Sequence, residues 1–226
     1  MAEELISTGS PLGADLRGEI SRRGILIRNQ GGRPTCSVQT MVFLMEYQLT
    51  GLLGPAWRHL SVEYANHAAN VTCNLRSDGH YFSDIAAGYD AMGIVSEALW
   101  PYNPDWVYDY EQGCRMANAE LTNIGRQALA DGARLKGRFI KRWGDAGLSD
   151  AEFAECLRML DEGVPVAIGR DHSMALVGYR VDDAQPGGGV MYFRNSYGTA
   201  GELAGYQTET FEQVKRTVLD AWVYTV

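Results

Sequence analysis

NQGGRPTCSVQTMVFLMEYQL, residues 29–49, changes character halfway along. Asn29 to Cys36 is dense in turn formers. From Ser37 onward the residues favour a helix, with Val38, Met41, Val42, Met45 and Leu49 at helical spacing. A helix this apolar belongs in a core. A cysteine therefore stands where a turn-rich loop enters a buried helix. The first N–H groups of a helix have no partner within it, and the positive end of its dipole favours an anion. A thiol so placed ionises below its usual ~8.5. Cys36 is thus a candidate nucleophile. Gln30, six residues earlier, carries an amide able to turn toward the sulfur. With the Cys36 backbone N–H it would form two donors converging on a developing oxyanion.

The rest of the chain fits a globular host for such a site. It has 226 residues, 46% hydrophobic and 21% charged, which excludes a disordered chain. That length suits one domain or two tightly joined lobes. The net charge is -8 and no dense basic run appears, so neither nucleic acid nor an anionic membrane is an expected partner. No secretory signal is read at the Met1 end, and the longest apolar stretch is interrupted by Glu46, Gln48 and Gly51. Four cysteines without a CxxC pair point to free thiols in a reducing, cytoplasmic setting and to no metal site.

Outward from the central helix, residues 1–13 read as a flexible terminus and residues 25–28 as a short extended stretch. A second helix starts at Ser61 and a third covers Tyr81 to Met92, stopped by Gly93. WPYNPDW, residues 100–106, is an aromatic-proline loop, and Asn118 to Leu135 is helical with little pattern. Ser149 to Glu152 forms a capping box for a helix reaching Glu162, and VPVAIG follows as a buried strand. The period then switches to two. HSMALVGYRV (172–181) and VMYFRNS (190–196) read as paired strands joined by DDAQPGGG. Helices fill the first part and strands the last, so the expected fold is α+β, with two unlike lobes and a cleft between them.

The hairpin contributes the second half of the chemistry. His172 begins its first strand and Asn195 ends its second, and such residues are neighbours in an antiparallel pair. The amide oxygen would accept from one ring nitrogen and leave the other for the thiol, giving nucleophile, base and orienter. Cys73, Cys114 and Cys156 read as packing thiols; His59, His67 and His80 as structural or surface residues; Trp100, Tyr102 and Trp106 as core.

These residues resemble the papain-like cysteine proteases. NQGGRPTC resembles that family's nucleophile loop, with its Gln six residues before the Cys. Asp171-His172 followed by ALVGY resembles the histidine strand, and RNSYGTAGELAGY (194–206) the Asn-Ser-Trp-Gly block. ADLR (14–17), Leu60-Ser61, Asp78-Gly79 and the stretch from Gly93 to Tyr102 fall in the family's order, so the resemblance covers residues 14–226. His172 and Asn195 follow Cys36 by 136 and 159 residues, against the family's ~130–150. The resemblance implies a papain-like two-lobe fold, with a helical lobe over about 25–110 and a β lobe over about 160–226 that includes an N-terminal strand. It implies Cys36, His172, Asn195 and Gln30 as catalytic residues, and Asp78, Gly79, His80 and Tyr197 at the substrate. The implied reaction is peptide hydrolysis through an acyl-enzyme, with no cofactor, on a peptide or protein segment, with a regulatory or substrate protein as a further partner. The same nucleophile would serve a transpeptidase or ligase, and the same cleft a non-catalytic peptide-binding module. A bacterial-type member without a pro-segment ahead of residue 14 is expected.

The sequence departs from that family at four positions. Arg33 stands where the family has a half-cystine, Ser37 where it has an aromatic, and Tyr197 and Gly201 where it has tryptophans. The stretch between VPVAIG and His172 is short, which implies a more open cleft.

Overall fold

The computed structural model describes residues 13–200 and 203–226. The expected loose terminus falls outside them except for Gly13, and so does Gly201. In chain order the elements are β1 (Gly13–Asp15), α1 (Arg17–Arg22), α2 (Cys36–Leu53), α3 (Val62–Cys73), α4 (Phe82–Met92), α5 (Tyr110–Met116), α6 (Ala119–Ala130), β2 (Lys136–Lys141), α7 (Asp150–Asp161), β3 (Val166–Gly169), β4 (Met174–Val181), β5 (Gly189–Arg194), β6 (Tyr206–Thr210), α8 (Phe211–Thr217) and β7 (Asp220–Thr225).

The caps explain where the helices start. Ser61 accepts from the Tyr64 N–H at the head of α3. Ser149 and Glu152 satisfy each other's main chain at the head of α7, as the capping box requires. The helix expected over 118–135 stops at Ala130, because Gly132 turns the chain at φ +105° and β2 follows.

The strands form one antiparallel sheet in the order β2-β7-β3-β4-β5-β6, and β1 pairs with β4 beyond the end of β3. The sheet therefore recruits residues 136–141, which the expected β lobe of 160–226 leaves out. The extended stretch at 25–28 pairs along no strand. The Leu26 carbonyl is taken by the guanidinium of Arg194 at the end of β5, and an isolated bridge between Asn29 and Tyr197 follows the stretch.

α2 is the axis of the core. Val38, Met41, Val42, Phe43, Leu44, Met45 and Leu49 are fully buried on it. It packs on α3 and α4 on one side and on β3, β4 and β7 on the other. All four residues of β3 are buried. Burial on every face accounts for the near-continuous apolar run read in the sequence. It also holds the first residue of α2, Cys36, at a fixed point beside the sheet.

Candidate active site

Cys36 is the first residue of α2, and the preceding Thr35 makes no side-chain cap. The helix thus presents unpaired N–H groups around the sulfur. The other half of the site comes from the β4–β5 hairpin. Ala175 pairs with Arg194, which brings the residues before β4 and after β5 to one end. His172 and Asn195 lie there just beyond the strand ends, rather than within the strands as the alternation suggested. His172 Nε2 lies 2.8 Å from Asn195 Oδ1. The Asn195 amide nitrogen donates to Gln207 Oε1 at 3.0 Å, which fixes Oδ1 as the acceptor and Nε2 as the protonated nitrogen of the ring. Gln207 in turn donates to Glu209, and Glu209 pairs with Arg170. This chain of side chains orients the imidazole, and its Gln207, Glu209 and Arg170 links were not foreseen from sequence.

The thiol and the imidazole are electrostatically matched. Burial of Cys36 opposes its ionisation, but interactions with the His172 ring and with Ser173 outweigh this and bring the thiol below 9.0. Burial likewise disfavours the charged form of His172. Cys36 and Asn195 outweigh it and raise the imidazole above 6.5. Each group favours the other's charge, which is the condition for a thiolate–imidazolium pair. By contrast Cys156, buried in α7, is pushed up to about 12 by burial. Cys114 is exposed rather than packed, and all four cysteines are free thiols. His67 is buried, touches the Tyr108 hydroxyl at 2.9 Å, and is brought down to about 4 by burial, as suits a structural histidine.

Tyr197 does not line the cavity beside Cys36. Its ring is stacked on His172, with centroids 4.6 Å apart and planes 7° from parallel. Its hydroxyl is 3.3 Å from Nδ1, but parallel rings put it over the imidazole face and off the in-plane lone pair. Nδ1 is the ring nitrogen left for the sulfur.

Gln30 is buried and doubly held. Its Nε2 donates to the Arg33 carbonyl at 2.7 Å, and its Oε1 accepts from Ser196 Oγ at 2.5 Å. One amide hydrogen is thus used on the loop itself, and the second remains. Tyr102 ties the same loop down, bonding the Gln30 carbonyl at 2.9 Å and Thr35 Oγ1 at 2.8 Å.

Asp78, Gly79 and His80 do border a cavity with Cys36, of about 400 Å³. Each also has structural work. Asp78 takes the guanidinium of Arg33, at 2.7 and 3.0 Å. Arg33 simultaneously pairs with the buried Glu63 and donates to the Asn103 carbonyl at 2.7 Å. An ion-pair cluster therefore joins the loop ahead of Cys36 to the 78–80 turn through Arg33. Gly79 has φ +72°, and a Cβ there would lie 2.2 Å from the Pro34 carbonyl oxygen. The His80 N–H donates to Ser37 Oγ at 3.1 Å.

Among the described residues no group of three or more His, Cys, Asp or Glu is placed to hold a metal ion. No helix of the described residues is long and apolar enough to cross a membrane.

The helices and antiparallel sheet make up the papain-like α+β fold. Among solved structures the chain is similar to digestive procathepsin L 3 from the larval midgut of Tenebrio molitor, with a TM-score of 0.67 at 16% identity over 98% of this chain and 72% of that one. It is similar to procathepsin L2 proteinase of the same midgut (TM-score 0.62, 20% identity, 97% and 70% covered). It is also similar to xylellain, a cysteine protease from Xylella fastidiosa (TM-score 0.68, 13% identity, 96% and 87% covered). No family model and no curated protein matches the sequence.

Proposed function

We propose that this chain is a cysteine peptidase that cleaves peptide bonds through Cys36, His172 and Asn195. The observation that carries the reading is geometric: His172 Nε2 is held by Asn195 at 2.8 Å, which leaves Nδ1 for the Cys36 sulfur at the head of α2, and the directions of the Cys36 and His172 pKa shifts agree with that pairing. In this reading the Cys36 thiolate attacks the carbonyl carbon of a peptide lying extended across the cleft. The carbonyl oxygen becomes an oxyanion and accepts from the Cys36 main-chain N–H and the remaining Gln30 amide hydrogen. The His172 imidazolium gives its proton to the leaving amine, and a thioester remains on Cys36. The neutral imidazole then takes a proton from water, whose oxygen attacks the thioester and releases the acid. Asn195 keeps Nε2 engaged throughout, so Nδ1 alone exchanges protons.

The test is an epoxide-warhead probe followed by peptide mass mapping, together with turnover of an unfolded protein substrate. Modification confined to Cys36, and cleavage that disappears in Cys36→Ala, support the reading. Equal alkylation of all four thiols with no cleavage overturns it. An added amine tests transfer against hydrolysis, since the same thioester would then yield the amide.

A further inference from the structure

The cavity beside Cys36 has an unbalanced charge. Two acidic side chains and one basic side chain line it: Asp78, Asp84 and Arg170. Asp78 is engaged by Arg33 and by Asn66 at 3.0 Å. Arg170 is engaged by Glu209 and by Thr217 at 3.1 Å, and lies over the Phe193 ring. Asp84 pairs with no cation among the described residues. His80 also lines the cavity, and burial lowers its pKa from 6.5, so the imidazole adds no positive charge at neutral pH. Asp84 is therefore the carboxylate of this wall without a cation partner among the described residues.

The rest of the wall suits a long cationic side chain. Tyr81 and Trp143 meet edge to face, with centroids 5.3 Å apart, and each is about half exposed, at 55% and 49%. Aromatic faces attract a guanidinium or ammonium group. Leu75, on the same wall, offers apolar contact to a methylene stem. A volume of about 400 Å³ accommodates an arginine side chain. The chain's net charge of -8 also draws basic peptides toward it.

Resting on the peptidase reading, we infer that this cavity selects a lysine or arginine side chain of the substrate, with the Asp84 carboxylate as the specificity-determining group and Tyr81 and Trp143 as its aromatic walls. Asp84 also sits in the first turn of α4, where a carboxylate favours the helix dipole. A purely helix-stabilising role predicts no dependence on the substrate's charge, so charge dependence is the readout.

The experiment has a binding arm and a cleavage arm. The Cys36→Ala protein is titrated with fluorescein-labelled peptides carrying Arg, Leu or Glu at each position in turn, read by anisotropy. Arginine at one position is expected to bind about tenfold tighter than glutamate there, and Asp84→Asn in the same background to erase most of that ratio. Asp84→Glu, which keeps the charge, should keep the preference. In parallel, wild-type digestion products of an unfolded protein are mapped for basic residues at a fixed distance from each cut. Cleavage without a basic preference, or a preference that Asp84→Asn leaves intact, overturns the cavity assignment and leaves hydrolysis standing. A binding preference without any cleavage overturns hydrolysis and leaves the cavity assignment standing. Failure of every peptide to bind or to be cut overturns both.

Discussion

The ring of Tyr197 lies parallel to the imidazole of His172, 4.6 Å from centroid to centroid. It covers one face of the ring whose Nε2 meets Asn195. Tyr197 itself remains half exposed, so the cover is thin. Tyr197→Ala would admit water to the His172–Asn195 bond and remove a contact of ~0.5–1.5 kcal/mol, about two- to tenfold in kcat/KM. Because the Asn195 bond favours the charged ring, its weakening should also move the alkaline limb of the pH profile downward. Tyr197→Trp, with a larger ring, should keep both. A full pH profile of each variant against wild type is the measurement, and an unchanged alkaline limb in Tyr197→Ala would count against the shielding role.

The charge state of the pair sets the pH dependence. On the proposed mechanism Cys36 acts as a thiolate, and its pKa is lowered from 9.0; His172 acts protonated toward the leaving amine, and its pKa is raised from 6.5. Activity should rise as pH increases through the thiol's lowered pKa and fall as pH increases through the imidazole's raised one. The two limbs belong to the coupled pair rather than to either residue alone. Ser173→Ala removes the hydroxyl interaction that lowers the thiol and should move the acid limb upward. Iodoacetamide reactivity followed against pH, with the modified cysteine mapped by mass, checks this. Cys156, held near 12, should stay unlabelled in the folded protein.

The placement of Cys36 at the head of α2 was legible because it is local. The loop-to-helix switch at Cys36, the Ser61 and Ser149 caps and the hairpin of β4 with β5 are each written in one short continuous stretch. What escaped is non-local. β2 pairs with β7 across eighty residues or more, and neither strand carries a pattern that names its partner. Trp143 follows β2, so its place beside Tyr81 was hidden with it. Arg33 was legible as a departure from a family pattern, but its partners Glu63 and Asp78 come from α3 and from a later turn. Charged residues carry no periodic signal that fixes such a meeting.

That Arg33 cluster predicts a large stability effect. Arg33 is buried, and burial disfavours its charge, but bonds to Asp78 and Glu63 outweigh this and hold the guanidinium protonated. Arg33→Met would leave Glu63 and Asp78 without their cation in a buried setting, which costs ~3–5 kcal/mol. Arg33→Lys keeps the charge but not the fork that reaches both carboxylates and the Asn103 carbonyl, so an intermediate loss is expected. Denaturant unfolding with and without dithiothreitol tests both points. The midpoint should fall in the order wild type, Lys, Met, and reductant should not move it, since all four cysteines are free.

Gly79 makes a steric prediction at the same junction. Its φ of +72° and the 2.2 Å approach of a would-be Cβ to the Pro34 carbonyl leave no room for a side chain. Gly79→Ala adds a left-handed penalty of ~1–2 kcal/mol and pushes on the residue two before Cys36. The loop must shift, and misplacement by an ångström costs on the order of 10²-fold in a positioned reaction. kcat/KM should fall by more than the stability loss accounts for. Circular dichroism and a melting curve alongside the kinetics separate the two effects, and a variant that melts earlier but turns over normally would refute the positional argument.

Gln30 offers the sharpest separation of binding from chemistry. Its amide is fixed by Ser196 at one end and by the Arg33 carbonyl at the other, so the remaining hydrogen is preorganised at no further entropic expense. An oxyanion donor acts only once negative charge develops on the substrate oxygen. Gln30→Ala should therefore lower kcat by about 10²–10³ while KM changes little. Ground-state alkylation of Cys36 by iodoacetamide forms no oxyanion and should proceed at nearly the wild-type rate. Gln30→Glu preserves the shape but removes the amide hydrogens and adds a negative charge near the sulfur. It should slow both reactions, because that charge opposes formation of the thiolate. If Gln30→Ala slows alkylation as strongly as turnover, Gln30 acts by supporting the loop rather than by stabilising the oxyanion.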